Sequence, residues 1–163
     1  MKELKINRRV KVIAILCLVL FLTACNLNER SSYSFSLENG DVINIVFKSK
    51  NGYTINQKNG SFVISKDNKT ISQGIFLTDK LYEEYKNIIN ENKNKEILNK
   101  KTGKKDNNDY IYYEVQGKNG TEYNYIVKVF SADSAVMIGC LTNKKEAQEV
   151  FEQLIIKYDL NNL

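Results

Sequence analysis

Short segments rich in apolar, β-branched and aromatic residues follow one another from residue 33 to residue 78, and several alternate hydrophobic and polar positions. Asn-Gly pairs at residues 39–40, 51–52 and 59–60 lie between them. This dipeptide favours the tight turn of a β-hairpin, because both central residues of a type I′ turn need a positive φ. The pattern predicts strands at Tyr33–Leu37, Val42–Phe47, Tyr53–Ile55, Ser61–Ser65 and Ile71–Thr78.

From residue 79 the hydrophobic spacing changes to that of a helix. Leu81, Tyr85 and Ile88 lie at positions i, i+4 and i+7, which fall on one face of an α-helix. We therefore expect an amphipathic helix from residue 79 to the mid-90s. The same spacing of apolar residues predicts a second helix over residues 144–158.

The chain between the two helices is expected to hold one loop and three strands. The polar segment Lys100–Asp109 is predicted to be the loop, and the strands are predicted at Tyr110–Val115, Glu122–Phe130 and Ala135–Leu141. One face of the hairpin around Asn119-Gly120 would carry Tyr110, Tyr112, Val127 and Val129, and the other Ile111, Tyr113, Val115, Ile126 and Phe130. Strands that are apolar on both faces are usually covered on both sides.

These elements predict an α+β domain, in which two main helices cover an antiparallel β-sheet as a three-layer α/β/α sandwich. The order of hairpin, helix, three-strand meander and C-terminal helix over residues 42–158 is similar to that of PsbP-like proteins, a family with such a sandwich. Many relatives have a proline and a tryptophan just after the first core strand, where this chain has Tyr53 as the nearest substitute. Because activities within that fold are unrelated to one another, the resemblance implies a fold and no function.

The first residues have the pattern of an export signal. Met1–Lys11 is basic, and Val12–Leu22 is an unbroken apolar run of eleven residues. As a helix this run spans about 16 Å, whereas the hydrocarbon core of a membrane is about 30 Å thick. The run is therefore typical of a signal peptide and too short for a permanent span.

The sequence Leu22-Thr23-Ala24-Cys25 resembles the lipobox of bacterial lipoproteins. The resemblance implies transfer of diacylglyceryl to the Cys25 thiol and cleavage between Ala24 and Cys25, which would hold the protein on the extracytoplasmic face of the cell membrane. An uncleaved N-terminal anchor with an incidental cysteine is the alternative. The predicted organisation is a signal peptide at 1–24, a lipidated N-terminus and tether at 25–32, and a single globular domain at 33–160.

The charge and cysteine content of the mature domain argue against a nucleic-acid partner and against an internal disulfide. The formal net charge is +5, but the first eleven residues hold five basic residues and one acidic residue, and the rest of the chain holds 19 basic and 18 acidic residues. A nearly neutral domain lacks the basic surface that nucleic acid requires, so we expect no nucleic-acid partner. Cys140 is the only cysteine of the mature chain besides Cys25, so no disulfide is expected within the folded domain.

The residue types present exclude most hydrolytic and metal-dependent chemistry. The chain has no histidine, which removes Ser-His-Asp and Cys-His catalysis and the commonest zinc ligand. Cys140 lies in an apolar strand and is expected to be a core residue. The segment Lys104–Asp109 has the oxygen-rich composition of some calcium loops, but it lacks the glycine and the glutamate of an EF-hand. We predict no catalytic residue, no metal site and no cofactor.

Two groups of side chains are the candidate contact surface for a ligand or partner. Tyrosines can stack on a sugar or peptide, and lysines can contact an anionic surface, although core packing and a solvated loop are the simpler interpretations. The candidates are Tyr110, Tyr112, Lys100, Lys101, Lys104 and Lys105, with Lys93 and Lys95 in the same lysine cluster.

Three functions remain open. The leading hypothesis is a non-enzymatic binding or interaction module that contacts an envelope protein or a small ligand. The second is an immunity or inhibitor lipoprotein that sequesters a peptide antagonist. The third is a hydrolase that uses carboxylates alone, such as a glycosidase pair, which needs two carboxyl groups about 5–10 Å apart in a cleft.

Overall fold

The computed structural model describes residues 30–49, 52–92, 96–118 and 120–159. The predicted signal peptide and lipobox, with Ala24 and Cys25, lie outside the described residues, and so do Lys93 and Lys95. The first strand begins at Arg30, within the segment predicted as the tether. No helix among the described residues is long and apolar enough to cross a membrane.

The chain forms ten strands and two helices in the described ranges. In chain order they are β1 (Arg30–Ser36), β2 (Val42–Lys48), β3 (Tyr53–Lys58), β4 (Ser61–Lys66), β5 (Lys69–Thr78), α1 (Asp79–Glu91), β6 (Ile97–Lys105), β7 (Asn108–Gly117), β8 (Gly120–Lys128), β9 (Ser134–Cys140), α2 (Lys144–Gln153) and β10 (Leu154–Tyr158). The strands make a three-stranded sheet in the order β1-β2-β10 and a seven-stranded sheet in the order β3-β4-β5-β9-β8-β7-β6. All neighbouring strands in both sheets are antiparallel.

The predicted fold class is wrong, because the domain is mostly β and is not one sheet covered by two helices. Strands hold 61% of the described residues. α1 covers one face of the seven-stranded sheet, whereas the three-stranded sheet lies with α2 on the other. The side chains of Ile43, Ile45 and Phe47 from β2 are fully buried in the core between the sheets. A second sheet therefore occupies space that the predicted α/β/α sandwich assigned to helix.

The C-terminal segment is the first reason for the error. The second helix was predicted to continue to Tyr158, but α2 ends at Gln153 and the next five residues form β10, which pairs with β2. In Leu154–Tyr158 the first and last residues are spaced as on a helix, while Leu154 and Ile156 alternate as on a strand. The strand forms because β2 offers its edge to this segment.

The polar segment after α1 is the second reason. Lys100–Asp109 was predicted as a loop, but residues 97–105 form β6, the edge strand of the large sheet. β6 turns into β7 through Asp106 and Asn107, whose φ angles of 51° and 70° are those of a type I′ turn. Lysines on an edge strand prevent pairing with other chains. Because they also make the segment polar, its sequence pattern resembles that of a loop.

The predicted division of β7 and β8 into two apolar faces is confirmed with one exception. Tyr112 and Val127 contribute to the core beneath α2 and the small sheet, whereas Ile111 and Ile126 contribute to the core beneath α1. The exception is Phe130, whose side chain is 63% exposed. The alternation directs Tyr110 and Tyr112 toward α2.

Candidate functional site

A cavity of about 420 Å³ lies where the edge strand β6 and its neighbours β7 and β8 meet α2. We call it the β6–α2 pocket. Its wall is aromatic and its rim is rich in lysine. The aromatic residues are Tyr110, Tyr112, Tyr125 and Phe151, and the lysines are Lys101, Lys104, Lys105 and Lys144.

Strand register explains why tyrosines from two strands meet a lysine from a third. Lys101 of β6 is opposite Tyr112 of β7, which is opposite Tyr125 of β8. Directly opposed residues of antiparallel strands lie on the same face of the sheet. In the next row, Gly103 is opposite Tyr110. The two rows form one continuous wall facing α2.

The aromatic wall is held together by contacts between its own rings. Phe151 of α2 stacks on Tyr125, with ring centroids 4.0 Å apart and an interplanar angle of 10°. Tyr110 meets Phe151 edge-on at 4.9 Å, and Tyr112 packs against Tyr125 at 4.9 Å. Such aromatic pairs contribute about 0.5–1.5 kcal/mol each beyond their buried area. The four rings of the wall therefore hold one another in place.

Gly103 makes room for the ring of Tyr110. A Cβ atom at this position would lie 2.6 Å from the Tyr110 hydroxyl oxygen and 2.7 Å from its Cζ. The φ of Gly103 is outside the left-handed region, so the glycine is needed for space and not for backbone conformation. Any larger residue would push the Tyr110 ring away from its place in the wall.

Lys105 joins the end of β6 to the C-terminus of α2. Its Nζ donates to the backbone carbonyl oxygens of Phe151, Glu152 (3.1 Å) and Leu154 (2.6 Å), and it lies 4.7 Å from the centre of the Phe151 ring. A cation at a helix C-terminus is stabilised by the carbonyl groups that have no partner within the helix. Burial lowers the pKa of Lys105 to about 8.

Glu114 is held by three donors beside the pocket. Its Oε1 accepts from Tyr112 Oη at 2.7 Å, from Lys144 Nζ at 2.8 Å and from Asn99 Nδ2 at 3.3 Å. The hydrogen bonds from Lys144 and then Tyr112 lower the pKa of Glu114. Burial, and next the hydrogen bond to Glu114, raise the pKa of Tyr112. Tyr112 therefore stays a neutral phenol and Glu114 a carboxylate over the physiological range.

Five of the six candidate residues named from the sequence line this pocket: Tyr110, Tyr112, Lys101, Lys104 and Lys105. Lys100 does not, because its Nζ donates to Asn90 Oδ1 at 3.0 Å near the end of α1. The ammonium group of Lys104 lies 3.4 Å from the Asp109 carboxylate, so its charge is partly compensated.

Sequence reasoning missed the contribution of α2 to the site. Lys144, Gln148 and Phe151 were not among the candidate residues, yet all three line the pocket. Phe151 and Gln148 lie three positions apart, as on one helix face, which is the signal that could have grouped them. Their approach to β6 depends on the packing of α2 and could not be read locally.

No group of three or more His, Cys, Asp or Glu side chains in the described part of the chain is placed to hold a metal ion. The Cys140 side chain is buried, with Sγ 3.1 Å from Thr142 Oγ1. Glu152 is the one carboxylate among the residues that line the β6–α2 pocket.

Comparisons with known proteins assign this chain to no family. No protein family matches it, and no curated protein matches its sequence at a significant level.

Proposed function

We propose that this protein is a non-enzymatic binding module, held on the extracytoplasmic face of a membrane by lipid on Cys25, which takes a small ligand or an exposed group of an envelope partner into the β6–α2 pocket. The observation that carries the proposal is the aromatic wall of Tyr110, Tyr112, Tyr125 and Phe151 in a cavity of about 420 Å³. Ligand sites are typically concave, apolar cavities of about 300–1,000 Å³ with a few placed polar groups.

The polar groups of the pocket favour binding over hydrolysis. Hydrolysis by carboxylates alone needs one carboxyl group as acid and a second as base or nucleophile. Glu114 is occupied by Tyr112 and Lys144, and Glu152 is the remaining carboxylate at the lining. The lysines and tyrosines that surround them can orient a ligand without acting on it.

Membrane attachment rests on the lipobox resemblance of residues 22–25 and on the short apolar run before it. Two acyl chains are about the minimum for stable anchoring, since each buried CH₂ contributes roughly 0.8 kcal/mol. Cys25→Ala should abolish incorporation of labelled palmitate and release the protein from the membrane fraction. Cys17→Ala is the matched control, because Cys17 lies inside the apolar run and should leave labelling unchanged. Labelled Cys25→Ala protein would refute the anchor.

Binding is tested on the full lipoprotein in lipid nanodiscs, with 3-fluorotyrosine incorporated so that ¹⁹F NMR reports each tyrosine. The probes are ring compounds of the size of benzoate, phenylacetate, indole-3-acetate and 2-naphthoate, each with its carboxamide. We expect several probes to shift the signals of Tyr110 and Tyr112, while the signal of Tyr82, a buried residue of α1 on the other face of the sheet, stays unchanged. If no probe moves the Tyr110 or Tyr112 signal, the pocket is not a binding site for small molecules.

A further inference from the structure

The charges around the β6–α2 pocket are arranged unequally. Lys144 is paired with Glu114, and Lys104 is paired with Asp109. The charge of Lys105 is met by backbone carbonyl oxygens, which carry only partial charge. The remaining formal charges at the lining are therefore two positive, from Lys101 and Lys105, and one negative, from Glu152. One further negative charge would neutralise the pocket.

Lys101 is the lysine best placed to contact an anion bound in the pocket. Its side chain is exposed and leaves the sheet on the same face as its register partner Tyr112. No ion pair joins Lys101 to another residue in the described ranges. Lys144 approaches the same ring from α2, with Nζ 5.8 Å from the Tyr112 centroid. It uses one of its three protons on Glu114. Lys101 and Lys144 both line the pocket that contains Tyr112.

We propose that the ligand is a small organic monoanion, with a flat ring that lies against Tyr110 and Tyr112 and a carboxylate that is held by Lys101 and Lys144. This inference rests on the proposed function and specifies the ligand of the same pocket. The rings of four aromatic residues line the cavity, where the partly exposed Tyr110 presents more of its ring than Tyr112, Tyr125 and Phe151, which are each 7% exposed. The two lysines provide charge-assisted donors, which bind a carboxylate more strongly than neutral donors do.

Lys105 acts as a positioning residue that holds the end of α2 beside the pocket. Its three protons are used on the carbonyl oxygens at the end of α2, so it does not donate to the ligand. Its charge nevertheless adds to the positive potential, and burial lowers its pKa to about 8, with Lys48 adding to the lowering and Asp106 and Glu152 opposing it. A bound anion must raise this pKa again, and by reciprocity the affinity must fall as pH rises above about 8.

The experiment compares each aromatic acid with its carboxamide, which has nearly the same shape but no charge, in the ¹⁹F titration of the lipoprotein in nanodiscs. We expect the acids to bind about tenfold more tightly than the amides, because a hydrogen bond from an ammonium group to a carboxylate is stronger than one to a neutral amide. Lys101→Gln should bring the affinity for the acids close to that for the amides. Lys80→Gln is the matched control, because Lys80 is an exposed lysine of α1.

The outcomes separate this inference from the proposed function. Equal affinities for acids and amides, or an unchanged preference in Lys101→Gln, would overturn the anionic ligand while leaving the pocket as a binding site. If neither class moves the Tyr110 and Tyr112 signals, the proposed function fails and the inference fails with it. A preference for acids that Lys101→Gln removes, and that declines between pH 7 and pH 9, supports both.

Discussion

Phe151 stacks on Tyr125 across the boundary between α2 and the large sheet, with the two ring centroids 4.0 Å apart. This contact joins a residue near the end of a helix to the middle of strand β8, 26 positions earlier in the sequence. It closes one side of the β6–α2 pocket. Lys105, at the end of β6, contacts the same turn of α2. The stability of the domain and the shape of its pocket therefore depend on the same side chain.

Removal of the Phe151 ring should lower the stability of the domain and weaken binding in the pocket. We expect Phe151→Ala to lower the free energy of unfolding by about 3–5 kcal/mol, the usual range when a buried phenylalanine is truncated, and to abolish probe binding at Tyr110. Urea unfolding followed by circular dichroism measures the first effect. Phe130→Ala is the control, because that ring is 63% exposed and such surface changes usually stay within about 0.5 kcal/mol. Equal losses in the two variants would contradict the stacking argument.

Gly103 should act on the pocket through Tyr110 alone. We expect Gly103→Ala to displace the Tyr110 ring, shift its ¹⁹F signal and weaken probe binding, because the added Cβ would lie 2.6 Å from the hydroxyl oxygen. In a Tyr110→Ala background the same glycine substitution should change unfolding much less, since the clash is gone. A double-mutant cycle on unfolding free energy measures the coupling between the two positions. Additive effects would show that Gly103 has another role.

Titration of Lys105 should make stability depend on alkaline pH. Its folded pKa is lowered to about 8, while an unfolded lysine titrates near about 10.4. Between these values the unfolded chain binds more protons, so the free energy of unfolding should rise with pH. We expect wild type to gain stability relative to Lys105→Met from about pH 8 to pH 10, measured by urea denaturation at fixed pH. Parallel curves for the two proteins would contradict a lowered pKa.

Ionised Glu114 should make the stability of the domain depend on acidic pH. Its pKa is lowered, first by the hydrogen bond from Lys144 and then by that from Tyr112. Its contribution to stability is therefore present above the ordinary carboxyl range and lost as pH falls through the folded pKa. We expect Glu114→Gln to be less stable than wild type at pH 7 and to approach it below pH 4, as measured by thermal unfolding. Glu84→Gln, on the exposed face of α1, is the control at pH 7, because surface changes usually stay within about 0.5 kcal/mol.

The local pattern was sufficient where the chain pairs with its own neighbour. The strands from β1 to β5, the start of α1 and the two faces of the β7–β8 hairpin follow from spacing and turn residues, because each depends on contacts between residues close in sequence. The same reasoning was wrong for β6 and β10. Both are strands only because another strand offers an edge: β7 pairs with the lysine-rich segment, and β2 pairs with Leu154–Tyr158.

The sequence alone determined which residue types were available: it has no histidine, its residues 22–25 resemble a lipobox, and it indicated five of the residues that line the pocket. Only the tertiary structure decided that Lys101 faces Tyr112, that Phe151 completes the wall, and that a second sheet replaces helix on one face. The reason is that hydrophobic spacing describes one segment at a time. Register and the approach of α2 depend on partners distant in sequence, and a shift of one residue in register would turn every side chain of a strand to the opposite face.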